Sequence, residues 1–100
     1  LTTNQLNNMI METKDFRKIA KKCVKKLQKL QMSVIFDQNI SMQIDTGWYM
    51  GSFDVCVFIG AHELGAKRRL VKFDFYPWHS KKDIENKCNG CIALVNAHRS

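Results

Sequence analysis

The spacing of the apolar residues changes along this 100-residue chain, and this change constrains the fold more than any other feature. Between Phe16 and Leu30 the apolar residues recur at spacings of three and four, which predicts an amphipathic helix over about 14–31. Between Met32 and Asp45 they alternate with polar residues, which is typical of strands with one buried face. The chain is therefore expected to pass from a helix directly into a sheet, with a bend in the long alternating segment.

Two further alternating segments predict two more strands. The second strand is expected to begin at Phe53 and to end before Gly60, and the third is expected to run from Arg69 until Pro77 stops it. Ser80 is a suitable N-cap for a closing helix, because apolar residues follow it at helical spacing. Short connections between the strands favour an antiparallel meander.

These elements predict an α+β fold in two layers. The expected order is one or two helices, a three-stranded antiparallel meander and a C-terminal helix (α-β-β-β-α), with the helices packed on one face of the sheet. The length and the even composition predict a single domain over 1–100.

The net charge of +7 comes from one segment. Eight bases and a single acid, Asp15, stand between Lys14 and Lys29, while the rest of the chain is neutral overall. Like charges three and four residues apart repel each other, so a uniformly basic helix face indicates an anionic partner more than a merely solvated surface does. The eight bases are Lys14, Arg17, Lys18, Lys21, Lys22, Lys25, Lys26 and Lys29.

The function predicted from this charge is a small, basic, non-catalytic module that contacts the phosphates of DNA or RNA. Lysines meet phosphates as point charges, so little sequence selectivity is expected. No cofactor or metal is required by this reading. A second basic patch is expected at Lys67, Arg68 and Arg69, and a third at Lys81 and Lys82, which open the closing helix.

An alternative from a different functional class uses the same charge. A compact basic protein with exposed aromatic residues could bind an acidic protein surface, or a protein that handles nucleic acid, and act as an inhibitor or adaptor, as small phage anti-defence proteins do. Trp48, Tyr49 and Trp78 would then lie at the centre of the contact.

The cysteine pattern allows a zinc site but favours core packing. Cys88 and Cys91 have the spacing of a metal-binding pair, and His79 and His98 flank them. Both cysteines also fall on the apolar stripe of the closing helix, where cysteine behaves as a small apolar residue. Neither a signal peptide nor a membrane span is expected, so the predicted location is cytoplasmic or nuclear rather than secreted.

Asp54, Lys72 and Asp74 resemble, loosely and across 12–96, the core of metal-dependent nucleases of the PD-(D/E)xK type. That resemblance implies two carboxylates that hold Mg²⁺ and a lysine that steadies the hydrolytic water. In this chain the lysine precedes the acid on the third strand, which reverses the order found in the family.

The order of elements across 16–97 is also similar to the double-stranded RNA-binding domain. The matching motif is Ser80-Lys81-Lys82 at the start of the closing helix, where that family grips phosphates with lysines. The resemblance implies phosphate contacts from this helix start.

Overall fold

Five elements form the fold in the computed structural model, which describes residues 13–47, 51–60 and 67–100. Their order confirms the predicted α-β-β-β-α arrangement. The elements are α1 (Thr13–Ser33), β1 (Ile40–Asp45), β2 (Phe53–Ile59), β3 (Arg69–Phe75) and α2 (Lys81–His98).

The three strands form an antiparallel sheet in the order β1-β2-β3. Val57 of β2 lies opposite Met42 of β1 and Val71 of β3, so apolar side chains from all three strands share one face. The next residue along β2, Phe58, points to the other face. The alternation read from the sequence therefore gives the correct side for each strand residue.

Both helices cover the apolar face of the sheet. α1 contacts β1 and α2, while α2 contacts β2 and β3. Each helix buries one stripe of side chains, as expected for an amphipathic helix on a sheet. The buried helix residues are Phe16, Ala20, Cys23 and Leu27 on α1 and Ile84, Cys88, Cys91 and Val95 on α2. The predicted two-layer packing is therefore confirmed.

The sequence-based assignment of 32–36 to a strand is wrong. α1 continues to Ser33, the chain then turns, and β1 begins only at Ile40. Backbone hydrogen bonds of turn type hold this segment, from Val34 N–H to Gln31 O (3.2 Å) and from Asp37 N–H to Val34 O (3.0 Å). The alternation across these few residues reflects a turn with one buried side chain, Val34, and not an extended strand.

The start of α2 agrees with its predicted N-cap. The side chain of Ser80 accepts a hydrogen bond from the backbone N–H of Asp83 at 3.1 Å, which satisfies one free donor of the first helical turn. Trp48 and Tyr49 lie outside the described residues, as does the N-terminal segment before Thr13. Within the described part of the chain, neither helix is long and apolar enough to cross a bilayer.

Candidate nucleic-acid interface

The outward half of α1 is almost entirely basic. Seven bases on this helix have exposed side chains, and at 100° per residue they cover about half of its circumference. The other half carries the buried stripe that anchors the helix to the core. We call these seven residues the basic face, and they are Arg17, Lys18, Lys21, Lys22, Lys25, Lys26 and Lys29.

The basic face has no carboxylate partner within the described residues. The two ion pairs found there join Lys72 to Asp74 (3.6 Å) and Lys81 to Glu85 (3.9 Å), and neither involves α1. The helix has one acid of its own, Asp15, in its first turn, where a negative charge suits the helix dipole. The positive charge of the basic face is therefore available to an external anion.

Two concave surfaces flank the basic face. On one side, an open groove of about 540 Å³ separates Arg17, Lys21 and Lys25 from the connection between β1 and β2. Gly47 and Gly51 border this groove, and both have positive φ angles (87° and 82°) that suit glycine. A chain of phosphates running along α1 would find room beside the lysines.

On the other side, a cleft of about 270 Å³ lies between α1 and α2. Lys22 and Lys26 of the basic face line one wall of this cleft, and Lys81 lines the opposite wall. The structure thus brings Lys81, one of the predicted phosphate-binding residues, beside α1. Lys82 is exposed in the same turn of α2.

The remaining predicted bases lie elsewhere. Arg68 is on the sheet face opposite the helices, where its guanidinium donates to Ser41 Oγ (2.7 Å) and lies 5.2 Å from the centre of the Phe58 ring. Lys67 and Arg69 are exposed at the start of β3. Lys14 belongs to α1, but its side chain lies outside the described part of the structure.

The cysteines of α2 are core residues. Cys88 and Cys91 are buried, and Cys88 shares a hydrogen bond with the buried Cys23 of α1. This bond lowers the pKa of Cys88 to about 7 and raises that of Cys23, and burial raises the pKa of Cys91 to about 12.

The histidines proposed as zinc ligands are not gathered around these cysteines. His79 Nδ1 accepts a hydrogen bond from the backbone N–H of Tyr76 at 3.3 Å, and burial lowers the pKa of this histidine. Within the described residues, the one group of potential metal ligands close enough to share an ion is formed by other side chains, Asp45, Asp54 and Cys56. The described geometry therefore gives no support to a Cys₂His₂ site at this helix.

Three aspartates form a row across the outer face of the sheet. Asp54 of β2 lies opposite Asp45 of β1 and Asp74 of β3. Asp54 therefore has a carboxylate on the strand to each side of it. Partial burial raises its pKa, Lys72 opposes this rise, and the two neighbouring aspartates add to it. Asp74 and, to a smaller extent, Asp54 raise the pKa of Lys72.

The three residues that resemble a nuclease core thus lie together on this face. Lys72 and Asp74 form an ion pair, and Asp54 faces Asp74 across the strands. They line a shallow cavity of about 290 Å³ with Tyr76 and Trp78. This row of carboxylates lies on the side of the sheet opposite the basic face.

We expect Asp54→Asn to stabilise the fold at neutral pH. A raised carboxyl pKa means that the ionised form is less favourable in the folded protein than in the unfolded chain. At pH 7 the substitution removes that penalty, so the free energy of unfolding should exceed that of the unsubstituted protein.

The stability gain should depend on pH in one direction. It should shrink as the pH falls through the raised pKa of Asp54, and it should vanish below about pH 3, where the carboxyl is neutral in both states. Urea unfolding followed at several pH values measures this. An Asp54→Asn variant that is less stable than the unsubstituted protein at pH 7 would show that the attraction to Lys72 outweighs burial and repulsion.

No protein-family model, curated protein or solved structure matches the chain. We therefore infer the function from the geometry and charge of the described residues.

Sequence reasoning missed one exposed feature beside the basic face. Met32 and Phe36 were assigned to an inward-facing strand, but both are exposed, Met32 in the last turn of α1 and Phe36, with Ile35, in the turn that follows it. The sequence does indicate the exposure of Met32. It follows Lys25 by seven residues, so in a continued helix its side chain lies on the same outward side as the lysines.

Proposed function

We propose that this protein binds nucleic-acid phosphates through the basic face of α1. The observation that carries this proposal is the set of seven exposed bases on one half of a helix, none of which forms an ion pair with a carboxylate of the described residues. Like charges at these spacings cost the helix roughly 0.2–0.5 kcal/mol per pair, and bound phosphates would offset that cost.

The dimensions of the helix suit a polyanion. Arg17 and Lys29 are twelve residues apart, so at 1.5 Å per residue the basic face extends about 18 Å along the axis. Duplex DNA carries about ten phosphates over that length, of which roughly half face one side. About five phosphate contacts are therefore within reach of the basic face.

The expected binding mode is weakly selective and non-catalytic. Ammonium groups recognise phosphate charge and carry no information about the bases. Lys81, across the cleft from Lys22 and Lys26, would extend the phosphate-binding surface onto α2. DNA and RNA are both expected ligands.

The test is the salt dependence of binding. We expect the logarithm of the association constant for duplex DNA to fall with the logarithm of salt concentration at a slope of roughly −4 to −5, which weakens binding roughly 500-fold between about 50 and 200 mM salt. Fluorescence anisotropy with labelled single-stranded and duplex DNA and RNA measures this, with and without Mg²⁺. A slope near zero, or no binding, would contradict the proposal.

Two other outcomes of the same assay point to the alternatives. Degradation of the oligonucleotides that requires Mg²⁺ and is lost in Asp54→Ala would support the nuclease. The absence of binding would support the protein inhibitor or adaptor. The exposed Trp78, stacked on Tyr76 with ring centres 4.4 Å apart, favours this second candidate because such aromatic residues often anchor protein interfaces.

A further inference from the structure

Three exposed apolar side chains lie at the end of α1, Met32 in its last turn and Ile35 and Phe36 in the turn that follows it. Met32 is 63% exposed, Ile35 is 59% exposed and Phe36 is 93% exposed. We call these three residues the apolar tip. Exposing a nearly complete phenyl ring to water is unfavourable. Single large apolar residues are common on protein surfaces, but three within five positions form an apolar patch, which often marks a binding site.

The turn that carries the apolar tip is well anchored. Val34, between the exposed residues, is buried in the core. The carboxylate of Asp37 accepts hydrogen bonds from the backbone N–H groups of Asn39 and Ser100, both at 2.8 Å. These bonds, that of Asn39 foremost, lower the pKa of Asp37.

The end of α2 adds a second anchor. The guanidinium of Arg99 donates to the backbone oxygen and to the hydroxyl of Ser33, each at 3.1 Å. Ser33 is the last residue of α1, so the exit from this helix is tied to the other helix. The exposed position of Phe36 is therefore fixed by hydrogen bonds on both sides of it, which lowers the entropy cost of binding a ligand there.

A groove of about 480 Å³ lies beside the apolar tip. Its walls combine the three apolar side chains with the polar groups of Gln38, Asn39 and Arg99. This mixture suits a flat, partly polar ring, because a nucleobase presents an apolar face for stacking and polar edges for hydrogen bonds.

The apolar tip continues the line of the basic face. Met32 follows Lys29 by three residues and Lys25 by seven, so these side chains share the outward side of α1. A strand whose phosphates lie along the lysines would reach the tip at the end of the helix.

We propose that the ligand is single-stranded nucleic acid, bound with its phosphates on the basic face and one unpaired base stacked on Phe36. This inference rests on the proposed function and specifies its ligand. In a duplex the faces of the bases are covered by their neighbours, so an exposed phenyl ring gains little from it. A base in a single strand can turn outward and cover the ring.

A lipid bilayer fits the same tip less well. Inserting Ile35 and Phe36 into hydrocarbon would also carry the Asp37 carboxylate and the Gln38 and Asn39 amides towards it, at a desolvation cost. A stacked base covers the ring without placing the Asp37 carboxylate in hydrocarbon, and its polar edges can accept or donate hydrogen bonds at the Gln38 and Asn39 amides.

The test compares Phe36→Ala with Phe36→Trp on single strands and duplexes of equal length. Phe36→Ala should weaken single-strand binding by about 5- to 150-fold, the range observed for one stacked base, and should leave duplex binding and the salt slope unchanged. Phe36→Trp should retain single-strand affinity, and its added indole should lose fluorescence on binding. Trp78→Ala, which removes an exposed aromatic residue from the opposite face, is the matched control and should bind normally.

The outcomes separate this inference from the proposed function. Normal single-strand affinity in Phe36→Ala would overturn the stacking proposal and leave phosphate binding intact. Binding of neither form of nucleic acid by the unsubstituted protein would overturn both. Sedimentation with phosphatidylserine vesicles that Phe36→Ala abolishes, without a change in single-strand affinity, would assign the tip to a membrane and overturn the inference.

Discussion

Replacing Lys18, Lys21 and Lys25 together with glutamate should weaken duplex DNA binding by at least about 100-fold at 0.15 M salt. Each phosphate contact contributes about a factor of five to the association constant at this salt concentration, and three contacts are lost. The three new carboxylates also repel the remaining phosphates. The slope of the logarithm of affinity against the logarithm of salt should fall to roughly −2, since about two contacts remain.

The fold should tolerate this triple substitution. All three side chains are exposed, and glutamate has nearly the same helix propensity as lysine. A glutamate at position 18 also stands four residues before Lys22, which is a favourable pairing. The charge-preserving control replaces the same three lysines with arginine and should keep the unsubstituted affinity. Unchanged binding by the glutamate variant would rule out the basic face as the phosphate site.

Phe75→Ala should strongly destabilise the fold. Phe75 is fully buried and stacks on Phe53 with ring centres 4.4 Å apart and planes 5° from parallel. Removing the ring should lower the free energy of unfolding by about 3–5 kcal/mol, because it leaves a cavity and ends the stacking contact. The total free energy of unfolding of a small domain is about 5–15 kcal/mol, so the unfolded fraction should rise sharply.

The matched control makes the same chemical change at an exposed position. Phe36→Ala should alter the free energy of unfolding by less than about 0.5 kcal/mol, because the ring is in water. Urea denaturation followed by circular dichroism measures both values. Equal losses in the two variants would contradict the burial assigned to Phe75 or the exposure assigned to Phe36.

Most of the fold was predictable because, in long segments, the spacing of apolar residues indicates a helix or a strand without knowledge of tertiary contacts. The helical spacing of Phe16, Cys23 and Leu27 and the alternation from Phe53 to Ile59 are confirmed by burial. The short segment 32–36 was not predictable in this way. Its conformation depends on contacts with distant residues, such as the Arg99 guanidinium on Ser33 and the bond from Gln31 Nε2 to Met42 O (3.0 Å).

The part of the candidate site that was predictable from the sequence is the set of bases that lie on a single helix, α1. The basic half of α1 follows from sequence spacing alone. The position of Lys81 across the cleft from Lys22 depends on how α2 packs against α1, which the sequence does not show. The aspartate row likewise depends on strand register, since a shift by two residues would keep Asp54 on the outer face but move it away from Asp45 and Asp74.

The most direct test of phosphate binding on α1 is a nuclear magnetic resonance titration of isotope-labelled protein with a short single-stranded oligonucleotide. We expect the largest chemical-shift changes from Arg17 to Lys29 and around Phe36, with little change at Asp54 and Trp78 on the opposite face. Changes concentrated on that opposite face, or no changes even with the oligonucleotide in large excess over the protein, would contradict phosphate binding on α1.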